Sequence, residues 1–203
     1  KGGKLQVLAV RGVPSADTRN WDEESNAYPV NEPMSVAWID IDGIQSPDDD
    51  LRYRGFESGA AVFARGEGIW FGNGEFYFAC TSGGRNKTGQ IFRYIPSKYE
   101  GHKEEERHPA RLELFLEPND NNLLENGDNL TVAPWGDLFV CEDGSESDFL
   151  RGVTLNGEIY NFAYNHYNQS EFAGVCFSPD GSTMFVNIQS PGITLAISGP
   201  WAQ

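Results

Sequence analysis

Residues 136–144 read Gly136-Asp137-Leu138-Phe139-Val140-Cys141-Glu142-Asp143-Gly144: a glycine turn, a short apolar run, and two acids where the run stops. The opening of that plan returns twice, as Gly74-Glu75-Phe76-Tyr77-Phe78-Ala79-Cys80 and as Gly181-Ser182-Thr183-Met184-Phe185-Val186-Asn187. Runs this short, rich in aromatic and β-branched residues and opened by glycine, are strands. A second strand follows the first two copies, Gly89-Gln90-Ile91-Phe92-Arg93-Tyr94 in one case and Gly157-Glu158-Ile159-Tyr160-Asn161-Phe162 in the other. Ile193-Thr194-Leu195-Ala196-Ile197 is a third such strand without the glycine start. Strand pairs recurring at intervals of tens of residues are the mark of propeller blades, small antiparallel sheets stacked around a channel. The turn Phe177-Ser178-Pro179-Asp180-Gly181 fits, since proline presets φ and glycine supplies the positive φ that joins two strands.

Working outward, strands are expected at 5–10, 35–42, 60–65, 69–72, 75–81, 89–95, 111–116, 129–133, 137–142, 157–163, 173–178, 183–188 and 193–197. Residues 14–34 read as a long polar loop, and Arg52 to Ser58 as a short helix or a loop. Residues 97–110, with Lys98, Glu100, Lys103, Glu104, Glu105, Glu106 and Arg107, read as a charged surface excursion. The 23 glycines and 11 prolines agree with many turns. The expected fold class is all-β: a β-propeller, or part of one, made of antiparallel four-stranded blades. The whole of 1–203 is then one propeller domain or the C-terminal part of a larger one. At roughly 45 residues per blade, the chain holds about three to five blades.

The formal net charge is −15. Such a surface repels nucleic acid and anionic membranes, so neither is expected as a partner. It also repels a phosphate ester unless bound cations reverse the sign locally. Either the charge serves solubility alone, or the substrate is not anionic, or the site carries metal. No run of about 18 apolar residues exists to span a membrane. Lys1-Gly2-Gly3-Lys4 with the short apolar run Leu5 to Val10 is not read as a signal peptide. Cys80, Cys141 and Cys176 form no CxxC pair and read as buried thiols. His102, His108 and His166 lack metal-ligand spacing, and no P-loop, GxGxxG or GxSxG is present.

Three places carry oxygen donors at strand ends. In Arg65-Gly66-Glu67-Gly68, Glu67 stands between two glycines, where carboxylate and backbone together approach a hard cation; the alternative is a turn with an exposed acid. Asp128 and Asn129 open one strand, and Glu142 and Asp143 close the next. Alternation along a strand lets one of the last two face the channel while the other caps the turn. Glu171 precedes an apolar strand, and Asn187 and Gln189, two apart on another, share a face. These amides suit a cation or a bound ligand, or are merely polar residues at a sheet edge.

Taken in order, Phe63 to Trp70, Phe78-Ala79-Cys80-Thr81-Ser82-Gly83-Gly84 with Gly89 to Tyr94, Asp128-Asn129-Leu130 with Cys141-Glu142-Asp143, and Glu171 through Ser178-Pro179-Asp180-Gly181 to Gly192 resemble the C-terminal half of PhoX-type alkaline phosphatases. The similarity runs over roughly residues 35–201. It implies a β-propeller, an exported enzyme of the periplasm or the extracellular space, a small phosphate ester as substrate, and a site in which calcium and iron hold the phosphate. By that resemblance Glu67 and Glu142 match acidic ligand positions, and Glu171 and Asp128 are further metal ligands; Asn187 and Gln189, from their shared strand face, are read as the substrate-binding amides. The family's N-terminal half carries an Asn-His-Glu ligand motif and an iron-binding cysteine. Here the only Asn-His is Asn165-His166, followed by Tyr167. The resemblance therefore makes the chain a C-terminal portion or a shortened relative, with the N-terminal part of the same protein as its partner. A calcium-dependent propeller lactonase and a non-catalytic propeller module are the alternatives.

Overall fold

The computed structural model describes residues 3–22, 28–145 and 148–201. Lys1 and Gly2, and residues 23–27 of the expected 14–34 loop, lie outside them. Thirteen strands, one helix and a 3₁₀ turn are seen among the described residues. β3 (Gly66–Gly72), β4 (Glu75–Cys80), β5 (Gln90–Ile95) and β6 (Arg111–Leu116) form one antiparallel meander. β7 (Gly127–Val132), β8 (Leu138–Glu142), β9 (Phe149–Val153) and β10 (Ile159–Tyr164) form a second. β11 (Phe172–Phe177), β12 (Thr183–Ile188) and β13 (Ile193–Ser198) form a third. These are the blades of a β-propeller.

The hairpin of β1 (Gln6–Val10) and β2 (Met34–Asp40) joins the first sheet through Met34↔Leu112 and Ser35↔Arg111. A pairing of only two residues lets the hairpin curl over that blade, and Val10 and Val36 pack on Phe92, Leu112 and Leu114. α1 (Leu51–Glu57) is the expected short helix. Alternation then fills the space between blades. Tyr77, Ala79 and Ile91 of the first meet Leu130, Leu138 and Val140 of the second. Phe139, Cys141 and Leu150 turn the other way, onto Phe172, Val175, Met184 and Val186 of the third. Phe139 is fully buried and meets Trp135 and Phe162 edge-on.

Three sequence expectations change. β9 was not foreseen, because Phe149-Leu150-Arg151-Gly152-Val153 carries a cation and a glycine where an apolar run is sought. Gly152 is needed there: a Cβ would lie 2.0 Å from Cζ of Tyr160. Consequently β10 is the outer, fourth strand of its blade, and β9 is the counterpart of β5. The expected strand at 60–65 reduces to Val62, bridged to Asp17, with the Ala61 N–H donating to the Leu8 carbonyl. The excursion at 97–110 is tied down at Glu100, whose carboxylate accepts from Trp38 Nε1 and the Tyr94 hydroxyl.

Candidate functional site

β3, β7 and β11 are the edge strands of the three blades, and β7 lies against both of the others. Their backbones run unusually close: a Cβ on Gly68 would lie 2.6 Å from the Asp128 carbonyl and 2.8 Å from Asn129 Cα. Asn129 Oδ1 in turn accepts from the Gly174 N–H at 2.7 Å. The register places the starts of these strands beside the ends of their neighbours, with Gly66 opposite Cys80, Gly127 opposite Glu142 and Phe172 opposite Ile188. Glu67, Asp128 and Glu171, each at the start of an edge strand, are thereby gathered on one rim with Asp143 and Gln189.

The carboxylates feel one another. Glu171 is pushed up to about 6, first by burial and then by the charges of Asp143, Asp128, Asp148 and Glu67. Asp128 is raised by burial, Glu67 and Asp143, against the Thr81 hydroxyl, which donates to its Oδ1 at 3.2 Å, and against Arg65. Asp148, nearly fully buried, is raised by burial and by Asp143 and Glu125, although the Gly144 N–H donates to it at 2.7 Å. Asp143, Asp148, Glu171 and Gln189 line an open cleft of about 390 Å³. Gln189 Nε2 donates to the Glu171 carboxylate, and its backbone N–H to the Glu171 carbonyl at 3.0 Å.

Other candidates are placed differently. Glu142 is fully buried. Its Oε1 accepts from Arg151 Nε at 2.8 Å and the Glu125 N–H at 2.9 Å, and its Oε2 from the Phe149 N–H at 3.1 Å. Burial raises it, and the Arg151 guanidinium opposes that rise. Of the two acids ending β8, Asp143 is the one in the cleft. Asn187 accepts from the Thr194 hydroxyl at 2.7 Å, while Gln189 lies beyond the end of β12 and turns to Glu171, so the two amides engage different partners. Asp148 was missed because it follows the turn as an isolated acid. Arg151 was missed because a buried cation inside a strand has no signature in the sequence until its partner is known.

The donor set is all oxygen, which is what hard cations take, and like charges crowded at one rim are relieved by a cation. Among the described residues no three His, Cys, Asp or Glu side chains are grouped so as to hold a metal ion by themselves. The rim fits a cation in its chemistry and leaves ligand positions to be supplied from elsewhere. Among the described residues no helix is long and apolar enough to cross a membrane.

Fold and rim together define a propeller protein with an acid-lined mouth. The family model for alkaline phosphatase PhoX matches residues 1–192, and the chain belongs to that family. Among solved structures, Pseudomonas fluorescens PhoX in complex with vanadate, a transition state analogue, is similar over 93% of this chain, with a TM-score of 0.60 and 19% identity. That likeness is one of fold, and this chain spans 40% of the length of that one. No curated protein matches the sequence.

Proposed function

We propose that this chain forms part of the active site of a metal-dependent phosphatase that hydrolyses small phosphate monoesters, with calcium and iron as its cations, in the periplasm or outside the cell. The observation that carries the reading is the cleft at one rim of a PhoX-family propeller lined by Asp143, Asp148, Glu171 and Gln189, with Glu171 raised by the charges of Asp143, Asp128, Asp148 and Glu67. Glu67, Asp128 and Glu171 hold the cations. Thr81 orients Asp128, and Gln189 orients Glu171 through the bonds described above. Glu142, the other acidic ligand position that the family resemblance gives, would take a cation in place of the Arg151 guanidinium. Arg65, exposed and near Asp128, offers a positive charge to the phosphate, and Asn187 and Gln189 offer amides to it. Bound cations supply neutralisation of the transferring phosphoryl group and a polarised oxygen for attack. The family's Asn-His-Glu motif, in the N-terminal part of the same protein, completes the ligand set.

The test is elemental analysis for calcium and iron of the purified protein with its N-terminal part included, with p-nitrophenyl phosphate turnover before and after EDTA. Retained metal and an EDTA-sensitive activity are expected. Protein that keeps neither metal after loading, and hydrolyses nothing, overturns the reading.

A further inference from the structure

The third blade differs from the other two at its outer edge. β6 and β10 are the fourth strands of the first two blades, whereas the third blade ends at its third strand, β13. Past Ser198 the chain turns back, and Trp201 stacks on Trp135 with ring centroids 5.5 Å apart. Among the described residues β13 pairs only with β12, in an unbroken register from Thr183↔Ser198 to Ile188↔Ile193. Exposed sheet edges are ordinarily guarded by a bulge, a charge, a proline or a covering segment. β10 has a register shift between Asn161 and Ala163. β6 is met by β2 and by the Asn31 N–H, which donates to the Leu114 carbonyl, and β1 is met by the Ala61 N–H. β13, Ile193-Thr194-Leu195-Ala196-Ile197-Ser198, has none of these guards. From Gly181 to Gln203 there is no Asp, Glu, Lys, Arg or His, in a chain of net charge −15.

The strand is also its own complement. Residues directly opposite in an antiparallel pair share a face of the sheet. A two-fold axis through Leu195 sets Ile193 against Ile197 and Thr194 against Ala196. Ile193, Leu195 and Ile197 pack on the core between the second and third blades, so this pairing continues their apolar row across the axis. Thr194 and Ala196, on the other face, are exposed and small. We infer that β13 is an interface between two copies of this chain, pairing antiparallel with β13 of a second copy about an axis through Leu195. Between bodies this acidic, a charge-free stretch is where approach costs least. The contact is isologous, so it closes at two copies and leaves no edge for a third. It lies at the edge of the blade away from β11 and the acidic rim, and stands apart from the phosphatase reading.

Sedimentation equilibrium on the whole chain should give twice the 22.5 kDa chain mass. EDTA and a reductant in the buffer keep metal and the half-buried Cys176 thiol from bridging copies. T194K/A196K sets lysine against lysine twice across the axis and should raise the dimer dissociation constant about tenfold. Its far-UV circular dichroism should be unchanged, because both positions are exposed. T194K/A196E sets lysine against glutamate in the same register and should stay dimeric. In the unaltered chain, the β13 amides should exchange with deuterium more slowly as protein concentration rises. A monomer whose β13 exchange is independent of concentration overturns the inference, and so does a dimer equally strong in T194K/A196K. Equal dissociation of the two variants overturns the axis through Leu195.

Discussion

Replacing Arg151 by methionine should destabilise the metal-free protein by about 3 kcal/mol, because removing one member of a buried ion pair leaves the other charge uncompensated. The size follows from the partners of Glu142. Its carboxylate, fully buried, takes three N–H donors: Arg151 Nε at 2.8 Å and the backbone groups of Glu125 and Phe149. Breaking such a pair typically costs about 3–5 kcal/mol. The two surviving backbone donors hold the expected value at the low end. Methionine keeps the apolar stem against Phe149, over whose ring the guanidinium lies at 4.1 Å from the centroid. Urea unfolding followed by tryptophan fluorescence, in EDTA near neutral pH, measures the loss. E142Q/R151M should recover most of it, since replacing both partners is close to neutral. Calcium should then restore more stability to R151M than to the unaltered protein, because a Glu142 released from Arg151 is free to take a cation. A loss below about 1 kcal/mol would refute the burial argument, and equal calcium effects on both proteins would refute the exchange at Glu142.

Glu171, held at about 6 in the fold against an ordinary 4.5, binds more protons folded than unfolded between those values. Metal-free stability should therefore fall as pH rises from 4.5 to 6, by about 1 kcal/mol once solvent screening is allowed for. Calcium should flatten that slope, and an unchanged slope with calcium present would count against Glu171 as a ligand. Glu171→Gln should shallow the slope, leaving the part that Asp128, Asp148 and Glu142 contribute, and weaken calcium binding about tenfold, read by calorimetry; unaltered affinity places the cation elsewhere. Gly68→Ala should cost about 1–3 kcal/mol, since its methyl meets backbone rather than a yielding side chain. A thermal midpoint for that variant equal to the parent's would show that β3 and β7 are not so closely set.

Much of the blade architecture was readable from short-range pattern. Gly74, Gly136 and Gly181 before apolar runs located β4, β8 and β12, because turn chemistry and alternation are local. β9 escaped for the opposite reason: Arg151 and Gly152 suit a strand only because Glu142 and the Tyr160 ring stand beside them. The site divides the same way. That acids stand at the starts of strands is visible at Glu67, Asp128 and Glu171. Whether Glu142 or Asp143 turns to the cleft is not, since alternation allows either and the buried guanidinium decides.

By itself the sequence determined an acidic all-β chain with repeated glycine-led strands, and a series of motifs belonging to one phosphatase family. Composition and pattern suffice for that, because each strand and turn answers to its nearest neighbours. Only the tertiary structure decided which carboxylates share a rim and which one is matched by a buried cation. Those outcomes depend on through-space distances between residues far apart in the chain, where a few ångströms separate a cation site from an ion pair.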